Sequence, residues 1–282
     1  MTPVQDSYRH ARAIARDRAK NFYYSFVLLD RQRRDSLCSI YAFMRHCDDL
    51  SDEPSASAAA LERWRQEMVD ALGRRFSANP LWPGFADTVE RYRIPHEYLH
   101  EMIDGVASDL TRQRFETFDE LYRYCYQVAS VAGLCLVHVF GFREARALEL
   151  AEKCGIAFQL TNILRDTGED YRLGRIYFPR QDRERFGVDE ASLGAPQVSE
   201  PLRALLTDYG RRARSYYGES RPLLDLVDRS CRSSLWALIE IYSRVLGRIE
   251  ERRFEVLRER VRLTAFEKSG IVASAIWRRN PA

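Results

Sequence analysis

Two runs of side chains in this sequence have the types and spacing for metal-assisted phosphate chemistry. The first is Arg45-His46-Cys47-Asp48-Asp49-Leu50-Ser51-Asp52. Asp48 and Asp52 stand four residues apart, so a helix puts them on one face with Cβ atoms roughly 5–6 Å apart. The apolar stripe Leu37, Tyr41, Met44 runs directly into them, which aims both carboxylates inward. Buried carboxylates need cations, and Arg45 offers one. The competing reading is a frayed, solvated helix end before Pro54. The second run is Gln159 to Asp170, in which Asn162, Asp166 and Asp170 recur every four residues. On a helix these form a ladder of oxygen ligands drifting about 40° per step. Gly155 to Leu164 is apolar apart from Gln159, Thr161 and Asn162, so the helix reads as buried rather than as an acidic surface face. Donors that are all Asp and Asn oxygens suit a hard cation, Mg²⁺ first and Mn²⁺ in its place. Two facing ladders could hold a diphosphate between metal ions and neutralise it as a leaving group.

A basic and polar set accompanies them: Lys20, Asn21, Arg45, Arg165 and Arg175, the last in the turn Gly174-Arg175-Ile176-Tyr177-Phe178-Pro179. Singly each reads as a surface charge; together they fit a diphosphate pocket, where arginine's planar fork donates in pairs. Aromatic residues cluster at Phe22, Tyr23, Tyr24 and Phe26 and again at Tyr122, Tyr124 and Tyr126. Most read as core, although aromatic faces beside a reacting carbocation would stabilise it. The small residues of Val128 to Gly133 either let helices approach or leave room for an alkyl chain. Tyr242 interrupts an apolar stripe as a buried hydroxyl or a pocket group.

The elements that must position these groups are helices. Leu37, Ile40, Tyr41 and Met44 share one face, and so do Leu235, Leu238, Ile239, Tyr242, Leu246 and Ile249. Strand-like alternation is scarce. Breaks fall at 52–57, 79–84, 141, 174–179, 187–201 and 221–222. The 282 residues show no composition shift or internal repeat, so residues 1–282 read as a single all-α domain of roughly ten helices. The net charge of +3 gives no case for nucleic-acid binding. Six scattered cysteines form no CxxC pair and no zinc spacing, and read as buried thiols of a reducing cytoplasm. The polar N-terminus does not resemble a signal peptide. The stretch from Val128 to Phe142 is too short to span a bilayer, which needs about 20 residues. A cytoplasmic protein is expected, with peripheral membrane contact if its product is greasy. No glycine-rich dinucleotide loop or P-loop is present.

With these residues in view, the chain resembles the squalene and phytoene synthase family over nearly its whole length. The resemblance runs through Lys20-Asn21-Phe22-Tyr23-Tyr24, Ile40 to Asp52, Tyr124 to Ala129, Gln159 to Asp170 and Gly174 to Pro179. It implies an all-α isoprenoid-synthase helical bundle with a central cavity. It implies Mg²⁺ held by Asp48, Asp52, Asn162, Asp166 and Asp170. It implies diphosphate contacts from Lys20, Asn21, Tyr41, Arg45, Gln159 and Arg165, and further cavity positions at Asp109, Tyr124 and Tyr242. The expected catalytic set is thus Tyr41, Arg45, Asp48, Asp52, Asp166 and Tyr242, with Phe22, Phe26 and Arg175 added to the substrate contacts. Asn21 departs from the family, where several relatives carry Ser, and can still bind a phosphate oxygen. No membrane anchor like that of eukaryotic squalene synthases follows the last helix, which suggests a bacterial-type enzyme.

The reaction implied is a head-to-head condensation of two prenyl diphosphates through a cyclopropyl diphosphate. The intermediate is then released, reduced with NADPH to squalene, or deprotonated to dehydrosqualene or phytoene. Diphosphate, Tyr41 or Tyr242 would take the proton. Phe26 could cap a short cavity and the small Cys38 open it; the modest chain length favours two farnesyl diphosphates, with two geranylgeranyl diphosphates as the alternative. Head-to-tail elongating enzymes carry two DDxxD motifs, and terpene cyclases a second motif with Ser or Thr and Glu, unlike NxxxDxxxD here. A non-catalytic assembly relative need not have kept every ladder position filled.

Overall fold

The structure is a computed structural model that describes residues 2–19, 21–52, 57–110 and 114–279, with the backbone alone for Asp52, Arg278 and Arg279. In chain order its α-helices are α1 (Pro3–Arg18), α2 (Phe22–Phe26), α3 (Arg31–Asp52), α4 (Ala58–Leu72), α5 (Trp82–Arg91), α6 (His96–Ser108) and α7 (Phe118–Cys125). They continue with α8 (Val131–Phe140), α9 (Arg146–Arg172), α10 (Arg180–Phe186), α11 (Glu200–Ser220), α12 (Leu223–Leu226), α13 (Arg232–Glu251) and α14 (Ala265–Arg279). Among the described residues the one β feature is an isolated bridge between Phe142 and Val227. The count exceeds the roughly ten that periodicity suggests, because α2, α10 and α12 are too short to carry a periodic stripe. No helix among the described residues is long and apolar enough to cross a membrane.

Local chemistry sets the ends. Thr2 and Gln5 form a reciprocal capping box ahead of α1. Ser57, Thr117 and Ser199 cap α4, α7 and α11 through their hydroxyls. The break expected at 79–84 ends earlier, since Trp82 already begins α5 and Pro83 fits a first turn that has no intrahelical partner for its missing N–H. Gly84 is needed there: its N–H donates to Ser7 Oγ at 2.8 Å, and a Cβ would lie 2.8 Å from the same oxygen.

α3 and α9 are the two walls that matter for the site. The back of α3 is fixed by an aromatic cluster in which Phe43 stacks on Phe85 at 4.6 Å, beside Trp64 and Trp82. α9 is buried along most of its length between α8, α11 and α13. Between α7 and α8 the residues Tyr126–Ser130 widen into one π-helical turn. Its close packing on α6 and α9 requires glycine: a Cβ on Gly155 would sit 2.4 Å from Ser130 Cα, and one on Gly105 2.8 Å from Gln127 Cβ.

After α13 the chain reverses through two consecutive left-handed residues, Arg253 (φ 53°) and Phe254 (φ 60°). Such a conformation costs about 1–2 kcal/mol for each L-residue. It is held by burial of Phe254 against Gly210, by Arg203 donating to the Arg253 carbonyl, and by a 2.8 Å ion pair from Arg203 to Glu255. The segment 255–264 then runs as a strap across the end of α9, burying Val256, Leu257, Val261 and Leu263. α14 follows, burying Ile271 and Ala275 while Phe266 and Trp277 stand 87% and 80% exposed.

Candidate active site

A cavity of about 1030 Å³ lies between α3 and α9. Its deep end is apolar: Phe26, Val106, Val128, Ala132, Gly133, Leu136, Val137, Phe140, Leu235 and Leu238 line it. Its other end is polar, with Asn21, Tyr41, Arg45, Asp48, Asp109, Gln159, Asn162 and Arg165. A narrower cleft of about 280 Å³ shares Asp48, Asp109, Tyr124, Gln159, Asn162 and Arg165 with the cavity and adds Asp166, Asp170, Arg175 and Tyr177. Asp48 of the first ladder and Asn162, Asp166 and Asp170 of the second therefore line the same cleft. Lys20 lies outside the described residues, as does the side chain of Asp52.

Of the small residues from Val128 to Gly133, Ser130 lets α9 approach closely, since a Cβ on Gly155 would sit 2.4 Å from its Cα. Gly133 lines the cavity, and a Cβ there would meet only the Ala151 carbonyl of α9, at an ordinary 3.4 Å.

On the α3 wall Arg45 donates to Asp49, its neighbour one turn on, and also feels the charge of Asp48. Arg18 approaches the same Asp49 oxygen at 3.5 Å. Asp49 thus takes the guanidinium while Asp48 faces the cleft. On the α9 wall Arg165 forks onto Asp166, with Nε to Oδ1 at 2.8 Å and Nη2 to Oδ2 at 2.6 Å. Asn162 Nδ2 donates to Gln159 Oε1 at 3.2 Å, while Asn162 Oδ1 is buried without a hydrogen-bond partner. Asp170 is pushed up to about 7, first by burial and then by the charge of Asp166. A buried oxygen without a donor and a carboxyl raised beside another carboxylate both suit a cation site. Among the described residues no three acidic side chains close into a single cage. The donor set fits Mg²⁺, which takes one or two carboxylates and completes its shell with water and phosphate oxygens.

Above the ladders is an aromatic box. Phe158 stacks on Tyr242 at 4.4 Å, Phe22 meets Tyr242 edge-on at 5.7 Å, and Phe22 lies 6.2 Å from both Tyr41 and Phe26. Burial pushes the Tyr41 phenol up to about 12 and raises Tyr242 as well. Both are neutral phenols in the resting site and can donate hydrogen bonds into the cavity. Tyr124 donates to Asp109 at 3.3 Å and lies 3.2 Å from Tyr177, with its phenol raised well above the usual range by burial. Tyr122, by contrast, turns away and donates to Glu152 at 2.6 Å. Arg175 lines the cleft, and its backbone N–H donates to the Asp170 carbonyl at 2.8 Å.

Four residues here escape sequence reasoning: Asp49, Phe158, Tyr177 and Arg260. Arg260, from the strap, lines the cavity and pairs with Asp166, Nε to Oδ1 at 2.7 Å.

An all-α bundle whose apolar cavity ends in facing oxygen ladders defines the isoprenoid-synthase class. The fold agrees: a solved dehydrosqualene synthase superposes with a TM-score of 0.91, covering 98% of both chains at 29% identity. Residues 15–267 match the squalene/phytoene synthase family, and the chain belongs to that family. Among its relatives are phytoene synthase of Arthrospira platensis, 34% identical over 93% of this chain and 90% of its own length, and the chloroplastic phytoene synthase 1 of Arabidopsis thaliana, 34% identical over 87% of this chain. This chain spans 60% of the Arabidopsis protein's length.

Proposed function

We propose that this chain joins two geranylgeranyl diphosphates head to head and carries the cyclopropyl intermediate on to phytoene, releasing both diphosphates. The observation that carries the reading is the junction of the two ladders with a deep apolar cavity, which suits a molecule with a charged head and a long alkyl tail. Modest chain length pointed to farnesyl diphosphate, but the 34% identical relatives are named phytoene synthases and favour the C20 substrate. A second reading, two farnesyl diphosphates to dehydrosqualene, is favoured by the 29% identical solved neighbour. NADPH enters only if the product is squalene.

In this reading Asp48 and Asp52 from α3, and Asn162, Asp166 and Asp170 from α9, hold Mg²⁺, with Mn²⁺ able to replace it. The bound cation supplies charge neutralisation for the departing diphosphate. Arg45, Arg165, Arg175, Gln159, Asn21 and Lys20 orient diphosphate oxygens by hydrogen bonds that strengthen as the C–O bond breaks and its electron pair leaves with the diphosphate. The allylic cation left behind faces Phe22, Phe158 and the two protonated tyrosines, whose ring faces stabilise it and exclude water. The C2=C3 bond of the second molecule attacks it, and proton loss closes the cyclopropane. In this reading the released diphosphate takes the proton, with Tyr41 or Tyr242 as the alternative acceptor.

The test is product analysis. Purified protein with Mg²⁺ and geranylgeranyl diphosphate should give phytoene without NADPH, at a higher kcat/KM than it shows with farnesyl diphosphate. Dehydrosqualene formed faster than phytoene would replace this reading with the second, and release of diphosphate from neither substrate would defeat both.

A further inference from the structure

We propose that Arg260 is a positioning residue that holds Asp166 closed in the resting protein and exchanges it for the substrate's diphosphate. The inference rests on the functional reading above. It starts from the acceptor capacity of one carboxylate, which has two oxygens and about four lone-pair sites. Arg165 takes two of them, through Nε to Oδ1 at 2.8 Å and Nη2 to Oδ2 at 2.6 Å. Arg260 takes a third through Nη2 to Oδ2 at 2.9 Å, and its Nε stands 2.7 Å from Oδ1 as an ion pair. Asp166 is therefore flanked by two guanidiniums. A cation that takes both oxygens competes with them.

The two arginines differ in how easily they leave. Arg165 is the residue before Asp166 on α9, and its side chain is 11% exposed. Arg260 arrives from the strap and is 36% exposed, with Glu169 at 3.6 Å as a second anion beside it. The strap backbone itself is anchored: a Cβ on Gly168 would lie 2.2 Å from the Leu257 carbonyl oxygen, and Arg172 donates to that oxygen at 3.3 Å. Exchange thus needs a side-chain rotation of Arg260 and no movement of the segment that carries it. Arg260 also lines the cavity, so its guanidinium, once released from Asp166, meets the space in which a diphosphate head would lie. A metal ion arriving alone would displace Arg260 with only the half-exposed Glu169 to receive it. A metal arriving with diphosphate supplies both a replacement for Arg260 and a partner for it. Arg260 therefore couples the two ligands, favouring their joint binding over binding of the metal alone.

The test uses Mn²⁺ and inorganic pyrophosphate as probes, by calorimetric or electron-paramagnetic titration of the whole protein. Affinity is measured for Mn²⁺ alone and for the preformed Mn²⁺–pyrophosphate complex, in wild type and Arg260→Gln. The expected changes have opposite signs. Arg260→Gln should bind Mn²⁺ alone about fivefold or more tightly and the complex about fivefold or more weakly, within the range of ordinary coupling between sites. Arg260→Lys, which keeps the charge without the fork, should fall between them. General damage to the site would weaken both probes together. If Arg260→Gln leaves Mn²⁺ affinity unchanged or lowers it, the exchange is overturned while the ladders stand. If wild type binds neither probe, the ladder reading falls and this proposal with it.

Discussion

A single carboxylate on α3 is a sharp test of the site. Asp48 lines both the cavity and the cleft, whereas its neighbour Asp49 is engaged by Arg45 and Arg18. Asp48→Ala should lower kcat by about 10²–10³, the usual effect of removing one preorganised electrostatic group. Asp49→Ala should instead act through Arg45, releasing the guanidinium from its anchor and raising KM more than it lowers kcat. Product formation and circular dichroism on both variants check this; near-normal turnover in Asp48→Ala with an intact fold would remove it from the metal set. Which residues the sequence exposed follows from the same physics. Asn162, Asp166 and Asp170 stood out because polar groups every four residues on a buried helix have no packing explanation. Phe158 did not, because an apolar residue on a buried helix looks like core whether it faces a neighbour or a cavity. Arg260 could not be found from pattern at all: it meets Asp166 across 94 residues, from a segment without helical period.

Among the elements, α3 and α13 were readable because each carries an apolar stripe, and α9 because its run is apolar apart from the oxygen ladder. The π-helical turn at Tyr126–Ser130 and the strap were not, since a one-residue widening and an extended crossing leave no periodic mark. The strap's position depends on its far end as well as on the reversal at Arg253. There Thr264 and Glu267 cap α14 reciprocally: Glu267 N–H donates to Thr264 Oγ1 at 3.2 Å, and Thr264 N–H to Glu267 Oε2 at 2.8 Å. Arg248 of α13 also donates to Glu267. These hydrogen bonds, the Thr264 backbone first, lower the Glu267 carboxyl from 4.5 to about 2. The folded value is the depressed one, so its stabilisation is complete above about pH 4.5 and is lost as pH falls toward 2. Glu267→Gln should therefore melt below wild type at pH 6, and the gap in Tm should narrow steadily as pH drops below 4.5. A gap that stays constant across that range would mean that the Glu267 charge does not hold α14 in place.

At the scale of the whole molecule, the cavity belongs to no single element. Its apolar end is assembled from α2, α6, the π-helical turn, α8, α9 and α13, and Val261 and Leu263 of the strap also line the cavity. Family and fold could be read from motifs, but the length of the prenyl chain could not, because it depends on how side chains from all these elements leave space. Total chain length, which pointed to C15, says nothing about that depth. Gly133 is where the dependence can be measured. A glycine inside a helix is about 1 kcal/mol less favourable than alanine, and at Gly133 close packing offers no reason for it, since a Cβ would meet only the Ala151 carbonyl at 3.4 Å. The space it leaves lies in the apolar wall with Ala132, Leu136 and Val137. Gly133→Leu should therefore fill tail space while sparing the ladders. With geranylgeranyl diphosphate kcat/KM should fall about 10-fold or more, the discrimination that one or two methylenes carry in an apolar pocket. With farnesyl diphosphate the loss should be several times smaller, so the ratio of C30 to C40 product rises when both substrates compete. The melting temperature should hold near wild type or rise, because a helix interior gains a better former. Equal losses with both substrates at an unchanged Tm would place the end of the tail elsewhere in the cavity, and an undiminished C40 yield would show that the space beside Gly133 is not used by substrate at all.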